Sequence, residues 1–104
     1  MYKLLIDTSN NKQLIIGLEF NDKQYLVKEP IDSKKAQATL NIIEKLLLKH
    51  KLTLPDITEI SVNSGPGSFT GLRVGVSIAN TLGVLLQIPI NGKKVGETIE
   101  PIYI

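Results

Sequence analysis

A glycine-rich turn at residues 63–75, NSGPGSFTGLRVG, is the feature that most constrains how this chain can fold. It follows a strand-like run at residues 57–62 and leads into a long apolar run with helical character. The glycine spacing is G-x-G-x-x-x-G, which is not the dinucleotide-binding pattern, and residues 71–72 are Gly-Leu where a Walker A loop needs Gly-Lys. Spacing alone therefore favours a tight helix entry, capped by Ser68 or Thr70, over a phosphate site.

The same loop leaves a phosphate-facing site open as an alternative. Hydroxyl groups and unpaired amides at the start of a helix favour negative charge. The first strand ends in an aspartate, and carboxylates at strand ends can hold magnesium, although the same side chain can cap its own turn. The residues that a phosphate-facing site would use are Asp7, Gly65, Gly67, Ser68 and Thr70.

The helix after the loop carries small residues at every fourth position, namely Gly71, Gly75, Ala79 and Gly83. Each glycine inside a helix costs about 1 kcal/mol relative to alanine, so the stripe indicates that another element approaches the helix closely. Bulky apolar side chains flank the stripe on both sides, which is more apolar surface than one sheet face needs. Two interpretations stay open: enclosure of the helix in a larger core, and a surface that binds a partner.

Apolar runs and turn signals order the remaining elements. Residues 4–6, 13–20 and 23–29 are strand-like, and the thin apolar face of the third run is typical of an edge strand. Residues 33–51 form an amphipathic helix, and residues 88–90 can form a last short strand. The prediction is an α/β domain with a mixed five-stranded sheet, in the order β-β-β-α-β-α-β, with helices packed on the sheet.

Length and composition are those of one ordinary globular domain. The chain has 104 residues, of which 42% are hydrophobic and 21% are charged, and this composition argues against wholesale disorder. The absence of cysteine excludes disulfides and thiolate catalysis. The net charge is only +2 and the lysines are scattered, as on a solvated surface. No signal peptide is seen and no run approaches the ~20 apolar residues of a membrane span, so we expect a cytoplasmic location without membrane contact.

Groups able to perform catalysis are few. His50 is the single histidine and lies at a lysine-rich helix end, where it would complement the helix dipole. Arg73 is the single arginine, and it could clamp an acid of a partner or of its own chain. No cluster of residues has metal-ligand spacing. We therefore predict no catalytic residue, no metal, no cofactor and no enzymatic activity for this chain.

Three segments together resemble the TsaB family, also called YeaZ: LLIDTS near the start, NSGPGSFTGLRVGVSIANTLG in the middle, and IPINGKK after it. The likeness covers residues 1 to about 92, and the closing EPIYI resembles the C-terminal end of the family. The family is the non-catalytic subunit of the bacterial machinery that makes threonylcarbamoyladenosine beside the anticodon of tRNAs reading ANN codons.

The resemblance implies an actin-like, ribonuclease-H-like half-domain of the ASKHA superfamily at residues 1–92, followed by a tail, residues 93–104, that could end in a short strand. It implies a scaffold that binds a TsaD-type catalytic subunit, with a TsaE-type ATPase joining, a homodimer through helices 33–51 and 71–86, and only indirect contact with tRNA. The interface residues carried over are Leu40, Ile43, Gly71, Arg73, Val74, Gly75, Ile78 and Ala79. With the stripe in this interface, Gly75→Leu should separate subunits of a folded chain.

The chain departs from the family pattern in two ways. Family members are normally longer, with a second half-domain, so we do not expect this chain alone to bind ATP. The first helix of the family usually carries a His-Ser pair near its start, where this chain has KKAQATL. Two alternatives to the scaffold are a small phosphate- or nucleotide-binding enzyme and a dimerising remnant that is no longer active in the pathway.

Overall fold

The structure is a computed structural model, and it describes residues 1–10, 12–30 and 35–102. The elements in these residues are β1 Lys3–Asp7, β2 Gln13–Phe20, β3 Lys23–Pro30, α1 Lys35–Lys49, a 3₁₀ turn Leu54–Asp56, β4 Glu59–Val62 and α2 Phe69–Leu86. Their order agrees with the prediction as far as α2. This helix begins at Phe69 instead of residue 71, and residues 33 and 34 of the predicted first helix lie outside the described residues.

The strands form one mixed sheet in the order β3-β2-β1-β4. β1 and β3 both pair antiparallel with β2, and β4 pairs parallel with β1. The turn between β2 and β3 is formed by Asn21 and Asp22, whose positive φ angles of 53° and 61° suit a tight hairpin. β3 lies at the edge of the sheet and is mostly exposed, so the prediction of an edge strand is confirmed.

The predicted fifth strand at residues 88–90 is reduced to one parallel bridge, between Ile60 and Ile90. Asn91 follows with a φ of 53°, a left-handed conformation that asparagine tolerates, and turns the chain away. Its side chain then makes hydrogen bonds that a neighbouring strand would otherwise make: Oδ1 accepts from the Val62 N–H at 2.8 Å, and Nδ2 donates to the Val62 carbonyl at 3.0 Å. The prediction of five strands is therefore wrong for the described residues, because an amide side chain closes the β4 edge of a four-stranded sheet.

The core lies between the two helices and one face of the sheet. α1 and α2 pack against the sheet through β1, β2 and β4, and both contribute to one buried apolar cluster. The alternation along β2, which buries Leu14, Ile16 and Leu18 completely, sets this inner face. On the opposite face Leu26 is aligned with Gly17 and is 45% exposed. The described part of the chain is thus a two-layer α/β domain, and neither helix covers the second face of the sheet.

The tail leaves the domain and then returns to it. Residues 91–98 are exposed, whereas Ile99 is buried in the core. Residues 93–102 contain no strand, and the last two residues of the predicted terminal strand lie outside the described residues. None of the helices in the described residues has the length and apolar character needed to cross a membrane.

Candidate functional site

The residues predicted to bind a partner separate into two groups on opposite sides of the helices. On the outside, Leu40 is 46% exposed, Arg73 is exposed, and Val74 and Ile78 are half-buried. The other group is buried in the chain itself: Ile43, Gly71, Gly75 and Ala79. Gly71, Gly75 and Ala79 pack inside the single chain, so the structure argues against partner contacts at these three positions. Ile43 is also buried but lines a depression beside Leu40, and its predicted place in an interface stays a prediction.

The small-residue stripe of α2 faces the chain's own sheet. A β-carbon added at Gly75 would press against the Thr8 side chain, and one at Gly83 would press against Ile90. Ala79, between them, has no exposed surface. The missing side chains of the stripe therefore leave room for β1 and for the segment after α2, so the helix is enclosed by its own chain on this side. This packing leaves no space for a partner helix at the stripe.

Thr8 is the residue that sequence reasoning undervalued. It is fully buried, its hydroxyl donates to the Gly71 carbonyl, and its Oγ1 accepts from the Gly75 N–H at 3.0 Å. One side chain thereby fixes the start of α2 to the end of β1. In the sequence, the indication of this contact is a threonine directly after a buried strand, together with the missing side chains at Gly71 and Gly75 of the helix.

The glycine-rich loop is a helix entry, as its spacing predicted. Ser68 is the N-cap of α2, and its Oγ accepts from the Gly71 N–H at 3.4 Å. The Ser68 N–H donates to the Ser9 carbonyl at 2.9 Å, and the Gly65 N–H donates to Oδ1 of Asn63 at 3.0 Å. These amides already have partners within the chain, so they are not free to bind a phosphate.

Asp7 caps its own turn and joins the two neighbouring strand ends. Its Oδ1 accepts from the Ser9 N–H at 3.0 Å, from Ser9 Oγ at 2.6 Å and from Asn63 Nδ2 at 3.3 Å. Among the described residues no group of three or more His, Cys, Asp or Glu side chains could hold a metal ion. The structure brings Asp7 close to the loop but uses it as a turn cap, which is the second of the two roles that the sequence allows.

Lys35, at the start of α1, also contacts this region. Its Nζ donates to the Thr8 carbonyl at 3.1 Å and to the Asn10 carbonyl at 2.8 Å. Burial lowers the pKa of Lys35, and the nearby charge of Asp7 acts in the opposite direction. The ammonium group is therefore engaged by backbone carbonyls and holds the turn after β1 to the first helix.

His50 lies among aromatic rings at the end of α1. Its ring centroid is 4.5 Å from that of Tyr25 and 5.6 Å from that of Phe20, and Nε2 is buried without a hydrogen-bond partner among the described residues. The ring fills the end of the core beside β3. Its predicted effect on the helix dipole stays a prediction.

The sides of α1 and α2 that point away from the sheet carry several exposed apolar side chains, and we call these sides the outer helical face. Ala36, Thr70, Val74 and Ile78 border a depression of about 380 Å³ between the helices. A second depression of about 360 Å³ lies towards the C-terminal end of α1, and its lining is mainly leucine and isoleucine, with one glutamate and one threonine: Leu40, Ile43, Glu44, Leu47, Leu48, Leu52, Thr53, Leu54 and Leu82. Leu48 is 67% exposed and Leu85, on the same side of α2 as Ile78, is 70% exposed. This is an unusual amount of apolar side chain to leave in water.

Comparison with known proteins agrees with this geometry. The family model described as TsaD, tRNA N6-adenosine threonylcarbamoyltransferase, matches residues 27–93. The tRNA threonylcarbamoyladenosine biosynthesis protein TsaB of Bacillus subtilis is 33% identical over 92% of this chain and 42% of its own length. The protein of the same name from Buchnera aphidicola (Schizaphis graminum) is 37% identical over 65% of this chain and 32% of its own length.

Solved structures have the same fold. YeaZ from Pseudomonas aeruginosa superposes with a TM-score of 0.81 and 27% identity, over 89% of this chain and 43% of that chain. A second Pseudomonas aeruginosa structure, described as an uncharacterized protein with similarity to peptidase YEAZ, gives a TM-score of 0.80. The chain spans less than half the length of each of these relatives.

Proposed function

Because the chain belongs to the TsaB (YeaZ) family, we propose that it is a non-catalytic scaffold subunit in the formation of threonylcarbamoyladenosine beside the anticodon of tRNA. In this proposal the chain is an actin-like half-domain that binds a TsaD-type subunit through the outer helical face. A TsaE-type ATPase joins the assembly, and tRNA is contacted by the other subunits.

The observation that carries the proposal is the exposure of apolar side chains on the outer helical face. Leu40, Leu48 and Leu85 are each roughly half or more exposed, and Leu40 and Leu48 border the depression towards the C-terminal end of α1. Apolar surface costs about 25 cal/mol per Å² in water, so covering these side chains would contribute several kcal/mol to association. A scaffold needs a surface of this kind.

The polar cluster formed by Asp7, Ser9, Asn63 and Lys35 supports a role in binding a partner over a role in catalysis. Asp7 accepts three hydrogen bonds from its own chain, and Lys35 is engaged by two carbonyls. Groups that act as general acids, bases or phosphate ligands must instead reach the substrate within hydrogen-bond distance. The arrangement is suited to holding the ends of β1 and β4 in place.

The test is to mix the full chain with the TsaD-type subunit of the same organism. Light scattering after gel filtration would give the mass of the complex, and calorimetry would give its Kd. We expect a stable hetero-complex, which Leu40→Glu weakens at least about tenfold, or about 1.4 kcal/mol, because the new carboxylate would lose its water in the interface.

Leu26→Glu provides a matched control. Leu26 is 45% exposed and Leu40 is 46% exposed, but Leu26 lies on the face of the sheet away from the helices. We expect Leu26→Glu to bind the partner like the wild type. Equal losses for both variants would contradict the assignment to the outer helical face, and a folded wild-type chain without affinity for the partner would favour the remnant alternative.

The same measurements on the chain alone separate self-association from binding to the TsaD-type subunit. If a homodimer uses the outer helical face, Leu40→Glu makes the chain monomeric and Leu26→Glu does not. The homodimer and the hetero-complex would then compete, and adding the TsaD-type subunit would dissociate the homodimer.

A further inference from the structure

The end of the tail is held in a groove on the side of α2 by a small set of specific contacts. Nδ2 of Asn80 donates to the Ile99 carbonyl at 2.8 Å, and Oδ1 of Asn80 accepts from the Ile99 N–H at 2.8 Å. The Ile102 N–H donates to the Ser64 carbonyl at 2.7 Å. The Ile99 side chain is only 5% exposed and belongs to the core. The Asn80 amide thus bonds both the N–H and the carbonyl of Ile99, and the Ile99 side chain anchors the segment in the core.

Residues 92–98, which connect Asn91 to this segment, make no comparable contacts. They are all exposed, and their backbone hydrogen bonds close two local turns, from Lys93 to Ile90 and from Glu97 to Lys94. Gly92 and Gly96 have φ angles of 73° and 94°, and a β-carbon at either would meet no described atom within 4 Å. The segment 98–102 is therefore attached like a tethered peptide, by its own anchor and by a solvated linker.

The groove adjoins the outer helical face. Arg73 and Ser77 line the depression of about 370 Å³ that contains Ile99 and Pro101, and they also line the depression bordered by Val74 and Ile78. One row of α2 side chains separates the docked segment from the outer helical face. Ile102, at the end of the segment, is 59% exposed and lies against the loop at Ser64 and Gly65.

We propose that the docked segment 98–102 forms one edge of the partner-binding surface, so that tight binding requires Ile99 to be held by Asn80. The inference rests on the proposed function. The partner would present an apolar surface wide enough to cross α2 from Val74 to Pro101. Continuity through Arg73 and Ser77 places the docked segment within reach of any partner that covers this side of α2.

The first measurement concerns docking alone and uses full-length variants. In Ile99→Asp the chain's own tail should leave the groove, which stays intact. A fluorescent peptide with the sequence ETIEPI, from residues 97–102, should then bind, as followed by anisotropy. A tethered segment has an effective concentration in the mM range, so we expect at least tenfold weaker binding of the peptide to the wild type. The double variant Asn80→Ala/Ile99→Asp should not bind it.

The second measurement is the affinity of the same variants for the TsaD-type subunit. We expect Ile99→Asp to bind it at least tenfold more weakly than the wild type does, and saturating peptide to restore the affinity. The peptide should not restore binding by the double variant, which separates loss of docking from general damage to the fold. If Ile99→Asp unfolds, Asn80→Ala alone, which removes only the two amide hydrogen bonds, replaces it and should also bind more weakly.

The outcomes are distinct. Wild-type affinity of a folded Ile99→Asp or Asn80→Ala chain for the partner overturns the inference and leaves the scaffold proposal intact. If the peptide does not bind the folded Ile99→Asp chain, the claim that the groove can bind this segment as a separate peptide is wrong. A folded wild-type chain that does not bind the TsaD-type subunit overturns the proposed function itself, and this inference with it.

Discussion

Thr8 shows how one side chain decides the fit between a strand and a helix. It is buried between β1 and α2, bonds the Gly71 carbonyl and the Gly75 N–H, and is separated from Gly75 by 67 positions in the sequence. The distance between strand and helix is set by the absence of a side chain at Gly75 as much as by the threonine. Both residues are needed because the hydroxyl reaches the helix backbone only where no β-carbon intervenes.

This contact predicts the effect of Gly75→Ala. We expect the substitution to lower the free energy of unfolding by about 1–3 kcal/mol, since the new β-carbon forces Thr8 or the helix to move. Urea denaturation would measure the change. The expectation that Gly75→Leu separates the subunits of a folded chain is thereby corrected, because a leucine here would disrupt the domain before any partner is involved.

Two comparisons keep this prediction specific. Ser77→Ala, on the exposed side of α2, should change the unfolding free energy by no more than about 0.5 kcal/mol. In a Thr8→Ala background, which removes the side-chain atoms nearest the added carbon, Gly75→Ala should cost less than in the wild type. An equal cost in both backgrounds would show that Thr8 is not the obstacle.

At the scale of elements, α1 ends in a Schellman motif that lacks its usual glycine. The Leu52 N–H donates to the Leu47 carbonyl at 2.9 Å, and the Lys51 N–H donates to the Leu48 carbonyl at 3.0 Å. Lys51 therefore occupies the left-handed position, with a φ of 59°. Only glycine adopts this conformation without a steric cost from the β-carbon.

We expect Lys51→Gly to raise the free energy of unfolding by about 1 kcal/mol, as removing the β-carbon relieves the left-handed backbone. Chemical denaturation would measure the change. Lys51→Ala is the matched control, since it removes the charge and keeps the β-carbon, and it should leave stability close to that of the wild type. Equal stabilisation by alanine and glycine would mean that the charge, and not the backbone, limits stability at this position.

At the scale of the whole molecule, the elements predicted correctly are those that show a periodic pattern of apolar residues in the sequence. The β-rich runs and the amphipathic helix appear in the expected order, and the exposed Leu48 is the apolar exception on the polar side of α1. Periodicity reports which side of a helix is occupied but not which element occupies it. The glycine stripe of α2 is the example, since its occupants, Thr8 and Ile90, lie in other parts of the chain.

The remaining misses have the same origin in long-range contacts. The fifth strand stops after one bridge because Asn91 replaces it with side-chain hydrogen bonds, which no local pattern indicates. The tail has no strong local signal, and its docking depends on hydrogen bonds between Asn80 and Ile99, a residue 19 positions away in the sequence. For the candidate interface, the sequence named α1 and α2, which stays a prediction, but it could not divide Val74 and Ile78 on the outside from Ala79 on the inside.

A last prediction concerns nucleotide binding at the end of the molecule that carries Asp7, Lys35 and the glycine-rich loop. A phosphate that used the amides of Gly65 and Ser68 would have to take over donors that are already bonded to Asn63 and Ser9, and one that used Lys35 would displace it from its two carbonyls. Each hydrogen bond lost without replacement costs about 0.5–1.5 kcal/mol. We therefore expect this chain to show no saturable binding of ATP with magnesium up to about 1 mM, a concentration that corresponds to about 4 kcal/mol of binding free energy.

Calorimetry and the shift of the unfolding temperature would both detect such binding. Asp7→Asn removes the carboxylate of the polar cluster, while Asp22→Asn removes one in an exposed turn between β2 and β3. If the wild type bound ATP with micromolar affinity, and Asp7→Asn abolished binding while Asp22→Asn preserved it, the cluster would be a nucleotide site and the phosphate-binding alternative would replace the scaffold. Without such binding, the hydrogen bonds of Asp7 and Lys35 serve to hold β1, β4 and the start of both helices in the arrangement that presents the outer helical face.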